Sequence, residues 1–331
     1  MKNIGWIQIF SKRYGGVIYQ NQVKDIISRK FNLDLVNLES KYFEKFRYLR
    51  IPESFVYLLK LKGKEDLWIR DFYSTITLNK KKTKGRNLAL IFHIDFSGFP
   101  IISRIPFLFL EKAFLYRQLK RVETIVTISE YWRKYFSDLG CKNVHKIYCG
   151  FNLSNFNISD EEIAEFKKRH WLEEKPIIYL GNCQRAKGVV DSYNVLKDLD
   201  VHFVTSGKQG VKIPALNLNL DYREYLRLLK ASTIALTMSK FKEGWCITAH
   251  EAMLCKTPVI GSGKGGMREL LGGGGQIVCE NFNKLRETVE FLLQTPEKRQ
   301  KMAEQGYDYA KNFTQEKFNQ SWEEMLNKAL E

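Results

Sequence analysis

The sequence predicts an α/β protein built from two doubly wound, parallel β-sheets. Short apolar runs alternate with segments of helical periodicity in both halves of the chain, as expected for repeated strand–helix units. Several of these runs are apolar throughout, which is typical of parallel strands covered on both faces. The length of 331 residues is sufficient for about two domains. With 44% hydrophobic and 27% charged residues, the composition excludes a largely disordered chain and a small disulfide scaffold.

The first half is predicted to contain strands separated by three helical segments. The strand candidates are Ile4–Phe10, Leu33–Leu38, Leu67–Arg70, Leu88–His93, Thr124–Ile128 and Val144–Ile147. The predicted helices are Val17–Lys30, Phe107–Arg121 and Glu130–Leu139. A polar stretch near Gly150–Lys175, which contains the helix candidate Glu161–Arg169, separates this half from the next.

The second half repeats the same alternation. Its strand candidates are Ile177–Leu180, Val201–Thr205, Thr233–Thr237, Thr257–Ile260 and Gln276–Val278. Its predicted helices are Val189–Leu199, Tyr222–Lys230, Thr248–Cys255, Lys284–Gln294 and Glu297–Lys311. The stretch Gly272–Gly275 is read as a glycine tract rather than as part of an element.

Cysteine usage and hydropathy indicate a protein of a reducing compartment. The six cysteines are scattered and form no Cys-x-x-Cys pair, which favours buried, reduced thiols. No apolar run reaches the roughly 18 residues that span a bilayer, and the N-terminus lacks the features of a signal peptide.

Two stretches, Ile51–Lys64 and Ile101–Leu119, combine apolar and basic residues. Such helices either lie in a membrane interface or pack on a sheet, and the second is the commoner case.

Positive charge is concentrated in the first half of the chain. Residues 1–150 contain 28 Lys and Arg against 13 Asp and Glu, whereas residues 151–331 contain 25 against 24. The first half should therefore attract an anionic partner, such as nucleic acid, lipid headgroups or a phosphorylated acceptor. The alternative is a lysine-rich surface that serves only solubility.

The segment from Ser239 to Leu271 carries the chemistry. Glu243 is predicted to lie in a loop, and Glu251 about two turns inside the helix that follows it. The Cα atoms of the two residues would then be roughly 12 Å apart along the helix axis. That distance is awkward for a glycosidase pair, whose carboxyl groups lie about 5–9.5 Å apart. It suits two carboxylates that hold opposite ends of an elongated ligand, with a helix N-terminus offering N–H groups to a phosphate between them. A nucleotide sugar has this layout.

A glycine-bearing loop follows the next predicted strand. Gly263, Gly265 and Gly266 come after Thr257–Ile260 and precede Glu269. Such a loop allows the backbone to approach a ligand at the carboxyl edge of a sheet.

These residues together resemble the signature of retaining glycosyltransferases of the GT-B fold, family 4, also called glycosyl transferases group 1. The order and spacing match over some 30 residues. The matching residues are Ser239, Glu243-Gly244-Trp245, Glu251-Ala252-Met253, Pro258-Val259-Ile260, Gly265-Gly266 and Glu269.

Other parts of the chain resemble the same family. Gly181 and Lys187 match its donor-phosphate loop, although Asn182 stands where the family has arginine, and Arg185 is the candidate to replace it. The remaining matches are Gly207 beside the base, Gly15 and Gly16 facing the diphosphate, and His93 near the transferred sugar.

The resemblance implies two Rossmann-like domains that face each other across a cleft. We expect an acceptor-binding domain over residues 1–155 and a nucleotide-sugar-binding domain over residues 156–312. Residues 313–331 are then the terminal helix that crosses back to the first domain.

The resemblance also implies the activity of a retaining, metal-independent hexosyltransferase of the EC 2.4 type. Glu243 would bind the sugar hydroxyls, Glu251 the ribose hydroxyls, and Lys187 with Arg185 the diphosphate, with Gly244 and Trp245 beside the donor. No cofactor is expected beyond a nucleotide-sugar co-substrate such as a UDP- or GDP-sugar. The sequence Asp198-Leu199-Asp200 is read as a turn and not as a metal site. The acceptor is expected to be a lipid phosphate or a growing glycan, and the location cytoplasmic or peripheral at the inner membrane face.

Three alternatives remain at this stage. One is a basic nucleic-acid-binding protein, although no recognition helix, zinc finger or aromatic RNA-binding strand is apparent. Another is a non-catalytic GT-B partner protein, which only Asn182 favours. A nucleotide-sugar epimerase of related fold is the third.

Overall fold

Two parallel sheets of six strands each form the framework of the chain. They are seen in a computed structural model that describes residues 1–8, 15–37, 50–95, 97, 105, 108–109 and 111–331. The described residues divide into two compact units. The first contains Met1–Ile94, Ile101–Gly150 and Gln315–Glu331, and the second contains Asp95–Pro100 and Phe151–Thr314.

The first unit is a doubly wound sheet with the strand order β2-β1-β3-β4-β5-β6. Its strands are β1 (Asn3–Gln8), β2 (Asn32–Asn37), β3 (Leu67–Arg70), β4 (Arg86–Leu90), β5 (Thr124–Thr127) and β6 (Val144–Lys146). Its α-helices within the described residues are α1 (Gly15–Lys30), α2 (Arg50–Lys60), α3 (Phe72–Ile76), α4 (Tyr116–Leu119), α5 (Glu130–Asp138) and the terminal helix α13 (Gln315–Leu330).

The second unit has the strand order β12-β11-β10-β7-β8-β9. Its strands are β7 (Ile177–Asn182), β8 (His202–Ser206), β9 (Leu216–Leu218), β10 (Ile234–Thr237), β11 (Val259–Gly261) and β12 (Ile277–Val278). Its α-helices are α6 (Asp160–Arg169), α7 (Val189–Leu196), α8 (Tyr222–Ala231), α9 (Ile247–Leu254), α10 (Met267–Gly273), α11 (Leu285–Gln294) and α12 (Pro296–Ala310).

Buried polar contacts attach the terminal helix α13 to the first unit. The Trp322 Nε1–H group donates to the Tyr19 hydroxyl at 3.0 Å, and this hydroxyl donates to the Ile147 carbonyl at 2.9 Å. At the surface, Lys30 pairs with Glu323 at 2.6 Å. The last helix of the chain therefore completes the unit in which the chain begins.

The helix expected over Phe107–Arg121 is helical as far as Leu119 but is not an α-helix throughout. Residues 107 and 110 lie outside the described residues. Residues 108–109 and the short α4 are α-helical, and Glu111–Leu115 between them form a π-helical turn. The wider turn places residues five apart on one side of the helix. The Tyr116 hydroxyl accordingly donates to the buried Glu111 carboxylate, and it lies 2.8 Å from the Tyr135 hydroxyl.

Three further elements were not expected from the sequence. The edge strand β9 is only Leu216–Leu218, and α3 is a single turn that a capping box between Asp71 and Ser74 stabilises. The helix α10 continues through Gly272 and Gly273. A β-carbon at Gly273 would lie 2.3 Å from the Tyr309 ring, so close packing, and not flexibility, explains this part of the glycine tract.

Each sheet has a point at which the strand order reverses, between β1 and β3 in the first unit and between β7 and β10 in the second. In doubly wound sheets, ligands bind outside the carboxyl ends of the strands at this point.

Among the helices that the structure describes, none has both the length and the apolar character needed to cross a bilayer.

Candidate functional site

The loops after β7 and β10 meet at the reversal point of the second sheet. The Lys240 N–H group donates to the Ala186 carbonyl at 2.9 Å, which joins the two loops directly. Gly188, with φ +75°, ends the turn that carries Lys187. A β-carbon at Gly188 would lie 2.2 Å from the Met238 carbonyl oxygen, so only glycine permits this approach.

Lys187 and Glu243 form an ion pair in this place. The Lys187 Nζ and Glu243 Oε1 atoms are 2.6 Å apart. The same oxygen accepts a hydrogen bond from the buried Ser239 hydroxyl at 2.5 Å. The two residues that the sequence assigned to the diphosphate and to the sugar are therefore direct neighbours.

The glycine loop after β11 fixes the backbone of Glu243. The Glu243 N–H group donates to the Lys264 carbonyl at 3.1 Å, and the Gly266 N–H group donates to the Glu243 carbonyl at 2.9 Å. Gly265 has φ +68°, and a β-carbon there would lie 2.4 Å from the Glu243 carbonyl oxygen. The Gly265-Gly266 pair thus positions the acidic residue of the site.

The pair is unequally exposed to solvent. The Lys187 side chain is 30% exposed and the Glu243 side chain 9%. Burial disfavours the charged lysine, but the Glu243 carboxylate outweighs this effect and holds the pKa of Lys187 above its ordinary value. The Lys187 ammonium also lies 5.0 Å from the centre of the Phe241 ring. Lys187 is therefore protonated at neutral pH, with its charge paired to the Glu243 carboxylate.

Glu251 lies closer to the start of its helix than the sequence suggested. α9 begins at Ile247, so Glu251 is just over one turn inside, not two. Its carboxylate is buried, and the hydroxyl groups of two tyrosines of α8 act on its pKa. Burial raises the pKa of Glu251 to about 7, and the bonds from Tyr222 and Tyr225 partly oppose the rise.

A buried pair of hydroxyl groups lies next to these tyrosines. Tyr225 packs edge-on against Tyr179, and the Tyr179 hydroxyl lies 2.7 Å from the Ser206 hydroxyl at the end of β8. No motif in the sequence had pointed to Tyr222 or Tyr225. The only signal was the spacing of Tyr222 and Tyr225, which places them on one face of a helix.

The buried side chains of Trp245 and His250 hydrogen-bond to each other in the protein interior. The indole N–H of the buried Trp245 donates to His250 Nδ1 at 3.0 Å, and His250 Nε2 lies 3.1 Å from the Ala310 carbonyl oxygen. The His250 ring stacks on Phe151 with 4.1 Å between centroids. The contacts of His250 are structural, and a donor contact of Trp245 through its backbone stays a prediction.

Replacing His250 with phenylalanine should lower thermal stability, and by less at acidic pH. Burial lowers the pKa of His250 to about 3, whereas the unfolded chain binds this proton near pH 6.5. The wild type therefore loses stability as the pH falls below about 6.5, and the variant lacks this loss. At pH 7.5 the variant leaves the Trp245 N–H unpaired, at a cost of about 1–3 kcal/mol. Thermal unfolding at pH 7.5 and 5 tests this prediction, and an equal difference at both values would contradict it.

Asn182 stands where the family has an arginine. Within the described part of the chain, the buried Asn182 Oδ1 atom has no hydrogen-bond partner. Gly207, with φ +78°, lies so close that its β-carbon would be 2.6 Å from Asn182 Nδ2. Gly181 has φ +105° and is buried, and Arg185 is exposed on the turn before Lys187. A diphosphate contact of Arg185 stays a prediction.

The candidates Gly15, Gly16 and His93 belong to the first unit. α1 begins at Gly15, and a β-carbon at Gly16 would lie 2.9 Å from the Phe92 ring. His93 is exposed and lies three residues beyond the end of β4, not at its end as expected. The roles of all three residues stay predictions.

Residues 160–309 match the family model described as Glycosyl transferases group 1. Lys187, Glu243 and Glu251 all lie inside this segment. Over these residues the chain is similar to the glycosyl transferases group 1 family. The resemblance found in the sequence is thereby confirmed over this segment.

A curated relative agrees with this assignment. An uncharacterized glycosyltransferase of Methanocaldococcus jannaschii is 30% identical over 155 residues. The match spans 42% of this chain and 44%, less than half, of the length of that relative.

Solved glycosyltransferase structures share the fold of the whole chain. Sucrose-phosphate synthase from Thermosynechococcus elongatus superposes with a TM-score of 0.78 at 16% identity, covering 99% of both chains. Anabaena HepE in complex with UDP-glucose gives a TM-score of 0.75 at 14% identity, covering 99% of this chain and 100% of that one. The predicted GT-B fold, with two parallel α/β sheets, is confirmed.

Metal-ligating side chains do not cluster in the parts of the chain that the structure describes. No group of three or more His, Cys, Asp or Glu residues there could hold a metal ion. Asp198, of the Asp-Leu-Asp sequence, pairs with Arg286 at 3.6 Å, and Asp200 pairs with Lys175 at 2.5 Å.

Proposed function

We propose that the chain is a retaining, metal-independent hexosyltransferase that uses a nucleotide-sugar donor. The observation that carries this proposal is the contact between Lys187 and Glu243 at the reversal point of the second sheet. The pair lies within the segment that matches the group 1 glycosyltransferases. It combines a cation for a diphosphate with a carboxylate for sugar hydroxyls, one beside the other.

The roles follow from the charge that develops during transfer. The bond between the anomeric carbon and the diphosphate oxygen breaks, and the diphosphate keeps the electron pair. Lys187, with Arg185 on the adjacent turn, stabilises this leaving group. Glu243 accepts hydrogen bonds from hydroxyls of the sugar, which becomes electron-poor. The acceptor oxygen bonds on the same face, and its proton passes to the departing phosphate oxygen, so that the configuration is retained.

A donor screen by thermal shift tests the proposal at the level of binding. UDP-glucose is the first candidate because Anabaena HepE, a structural neighbour, was solved with it, and GDP- and ADP-sugars complete the screen. A ligand at 100 times its dissociation constant should add about 2.7 kcal/mol of stability. Product analysis then determines the anomeric configuration, and we expect transfer to persist in EDTA. No stabilisation by any nucleotide sugar would refute the donor assignment.

We further propose that the acceptor is anionic or membrane-associated. Residues 1–150 carry a net charge of +15, against +1 for residues 151–331. Helix α2 buries Leu58 but exposes Val56, Tyr57 and Leu59, and it ends at Lys60. Apolar side chains with a basic rim suit the surface of an anionic bilayer. All six cysteines are buried, and no disulfide joins them in the described structure, which supports a cytoplasmic location at the inner membrane face.

Vesicle sedimentation tests this surface. We expect the protein to bind vesicles containing phosphatidylglycerol more tightly than pure phosphatidylcholine vesicles, and less tightly at high salt. The double variant Val56→Ser/Leu59→Ser should weaken this binding several-fold. Phe291→Ser is the matched control because Phe291 is an exposed apolar residue of the second unit. Equal binding by the double variant and the control would contradict the role of α2.

A further inference from the structure

Helix α6 ends with an unusual residue. The Leu172 N–H group donates to the Lys167 carbonyl at 2.9 Å, and the Trp171 N–H group donates to the Lys168 carbonyl at 3.3 Å. These two bonds define a Schellman motif, in which the residue after the C-cap is left-handed and usually glycine. Here that residue is Trp171, with φ +54°. A side chain in this conformation is strained.

Trp171 is also exposed to a degree that is rare for tryptophan. Its relative exposure is 83%, the highest among the large hydrophobic residues of the described chain. Exposure of an indole to water forfeits the hydrophobic stabilisation that burial would give. Two unfavourable features, strain and exposure, thus coincide at a position where glycine would remove both. Such a coincidence points to a use for the side chain.

A cavity of about 510 Å³ adjoins the indole. The residues that line it include His170, Trp171, His202, Pro214 and Leu216. His202 and Leu216 are the first residues of β8 and β9, so the cavity lies at the amino ends of these strands. The Lys187–Glu243 pair follows the carboxyl ends of the strands, so the two sites are separate.

One residue that lines the cavity carries an unsatisfied polar atom. His202 Nε2 is buried and has no hydrogen-bond partner among the described residues. A buried nitrogen without a partner is costly, and a rotation of the imidazole that brings this nitrogen to the cavity would let a ligand hydroxyl remove the cost. A suitable ligand therefore has a flat apolar face for the indole and at least one hydroxyl for the imidazole.

The charges beside the cavity favour a neutral ligand. Arg169, next to His170 in sequence, pairs with Glu224 at 2.9 Å. Lys175 pairs with Asp200 at 2.5 Å. Both cations already have a carboxylate partner, so neither is poised to receive a phosphate.

We propose that the Trp171 cavity is a second, non-catalytic binding site for a neutral pyranose unit of a glycan. The C–H face of a pyranose packs against the negative face of an indole, and its hydroxyl groups supply the partner that His202 lacks. The choice of a carbohydrate among neutral ligands rests on the proposed glycosyltransferase function. Such a site would hold a glycan acceptor on the enzyme between transfers and raise its local concentration.

A printed glycan microarray tests the site with the full chain and three variants. Trp171→Gly removes the indole and the strain, His202→Phe removes the nitrogen at similar volume, and Phe291→Ala is the exposed aromatic control. We expect the wild type and Phe291→Ala to retain a common set of glycans. Trp171→Gly and His202→Phe should lose at least nine-tenths of this signal while melting no lower than the wild type.

Binding of the nucleotide-sugar donor, followed by thermal shift in the same variants, should be unchanged, because the donor site is separate. If no nucleotide sugar binds, the proposed function is refuted. Glycan retention by the wild type and the variants still tests the second site. Absence of glycan retention by the wild type, or equal retention by Trp171→Gly, overturns the second site. Retention of proline-rich peptides instead of glycans, dependent on Trp171, would overturn its assignment to carbohydrate.

Discussion

Replacing Lys187 with methionine is expected to lower the turnover of sugar transfer by about 10²- to 10³-fold, the range found when one stabilising donor is removed from a developing anion. Methionine keeps most of the length of the side chain and loses only the charge. The Lys187 ammonium lies 2.6 Å from Glu243 Oε1, so the substitution also leaves a largely buried carboxylate without its cation. We therefore expect a lower melting temperature as well.

A double variant separates catalysis from simple neutralisation of Glu243. If Lys187 served only to balance the carboxylate, then Lys187→Met/Glu243→Gln would restore stability and would transfer sugar as fast as Glu243→Gln alone. We expect it to recover stability, because neither buried group is then charged, but to transfer sugar far more slowly than Glu243→Gln. Lys311→Met is the matched control, since Lys311 pairs with Asp308 at 2.6 Å on the surface. Equal turnover by the double variant and Glu243→Gln would contradict the assignment of Lys187 to the leaving group.

Replacing Glu251 with glutamine is expected to weaken donor binding by about 10- to 100-fold, the equivalent of one or two hydrogen bonds to a charged group. The wild-type affinity should also depend on pH. Because the pKa of Glu251 is raised to about 7, the carboxylate that accepts the ribose hydroxyls is fully formed only above this value. Donor affinity should thus fall below about pH 7, by up to tenfold per unit. The glutamine variant should show no such dependence.

Tyr222→Phe provides the control for this profile. Its hydroxyl hydrogen-bonds to Glu251 and lowers the pKa of that carboxyl, so its removal should move the midpoint of the profile to higher pH. Isothermal titration with a nucleotide sugar between pH 5.5 and 8.5 measures both effects. A glutamine variant with wild-type affinity and the wild-type pH profile would exclude Glu251 from the donor site.

The same carboxyl affects folding in the opposite sense. The unfolded chain ionises it near pH 4.5, whereas the folded chain keeps it protonated until about pH 7. The unfolded state therefore binds fewer protons in this window, and stability falls as the pH rises through it. Glu251→Gln should remove this fall.

Strand patterns transferred well from sequence to structure. The apolar run Leu67–Arg70 is a strand with the same bounds, fully buried, because a parallel strand covered by helices on both faces must be apolar throughout. The prediction of a regular α-helix failed for Glu111–Leu115, where the contact of Glu111 with Tyr116 accompanies a π-helical turn. That contact includes a buried carboxylate, which a periodicity of apolar residues cannot show.

The glycosyltransferase motif identified the two acidic residues of the site but not the side chains that surround them. The spacing of Glu243 and Glu251 pointed to an elongated ligand, and the family match of residues 160–309 agrees with that direction. The ion pair of Glu243 with Lys187 joins residues 56 positions apart. The tyrosines on Glu251 come from a helix that precedes it by a strand and a loop.

The sequence by itself determined the fold class and the resemblance to group 1 glycosyltransferases, since both are expressed in short-range patterns: apolar runs, glycine positions and the spacing of two glutamates. Only the tertiary structure decided that Lys187 contacts Glu243, that Glu251 is buried to the point of titrating near neutrality, and that Trp171 stands exposed beside a cavity. These properties depend on distances between groups remote in the chain and on the exclusion of water, and both arise only when the sheets and helices pack.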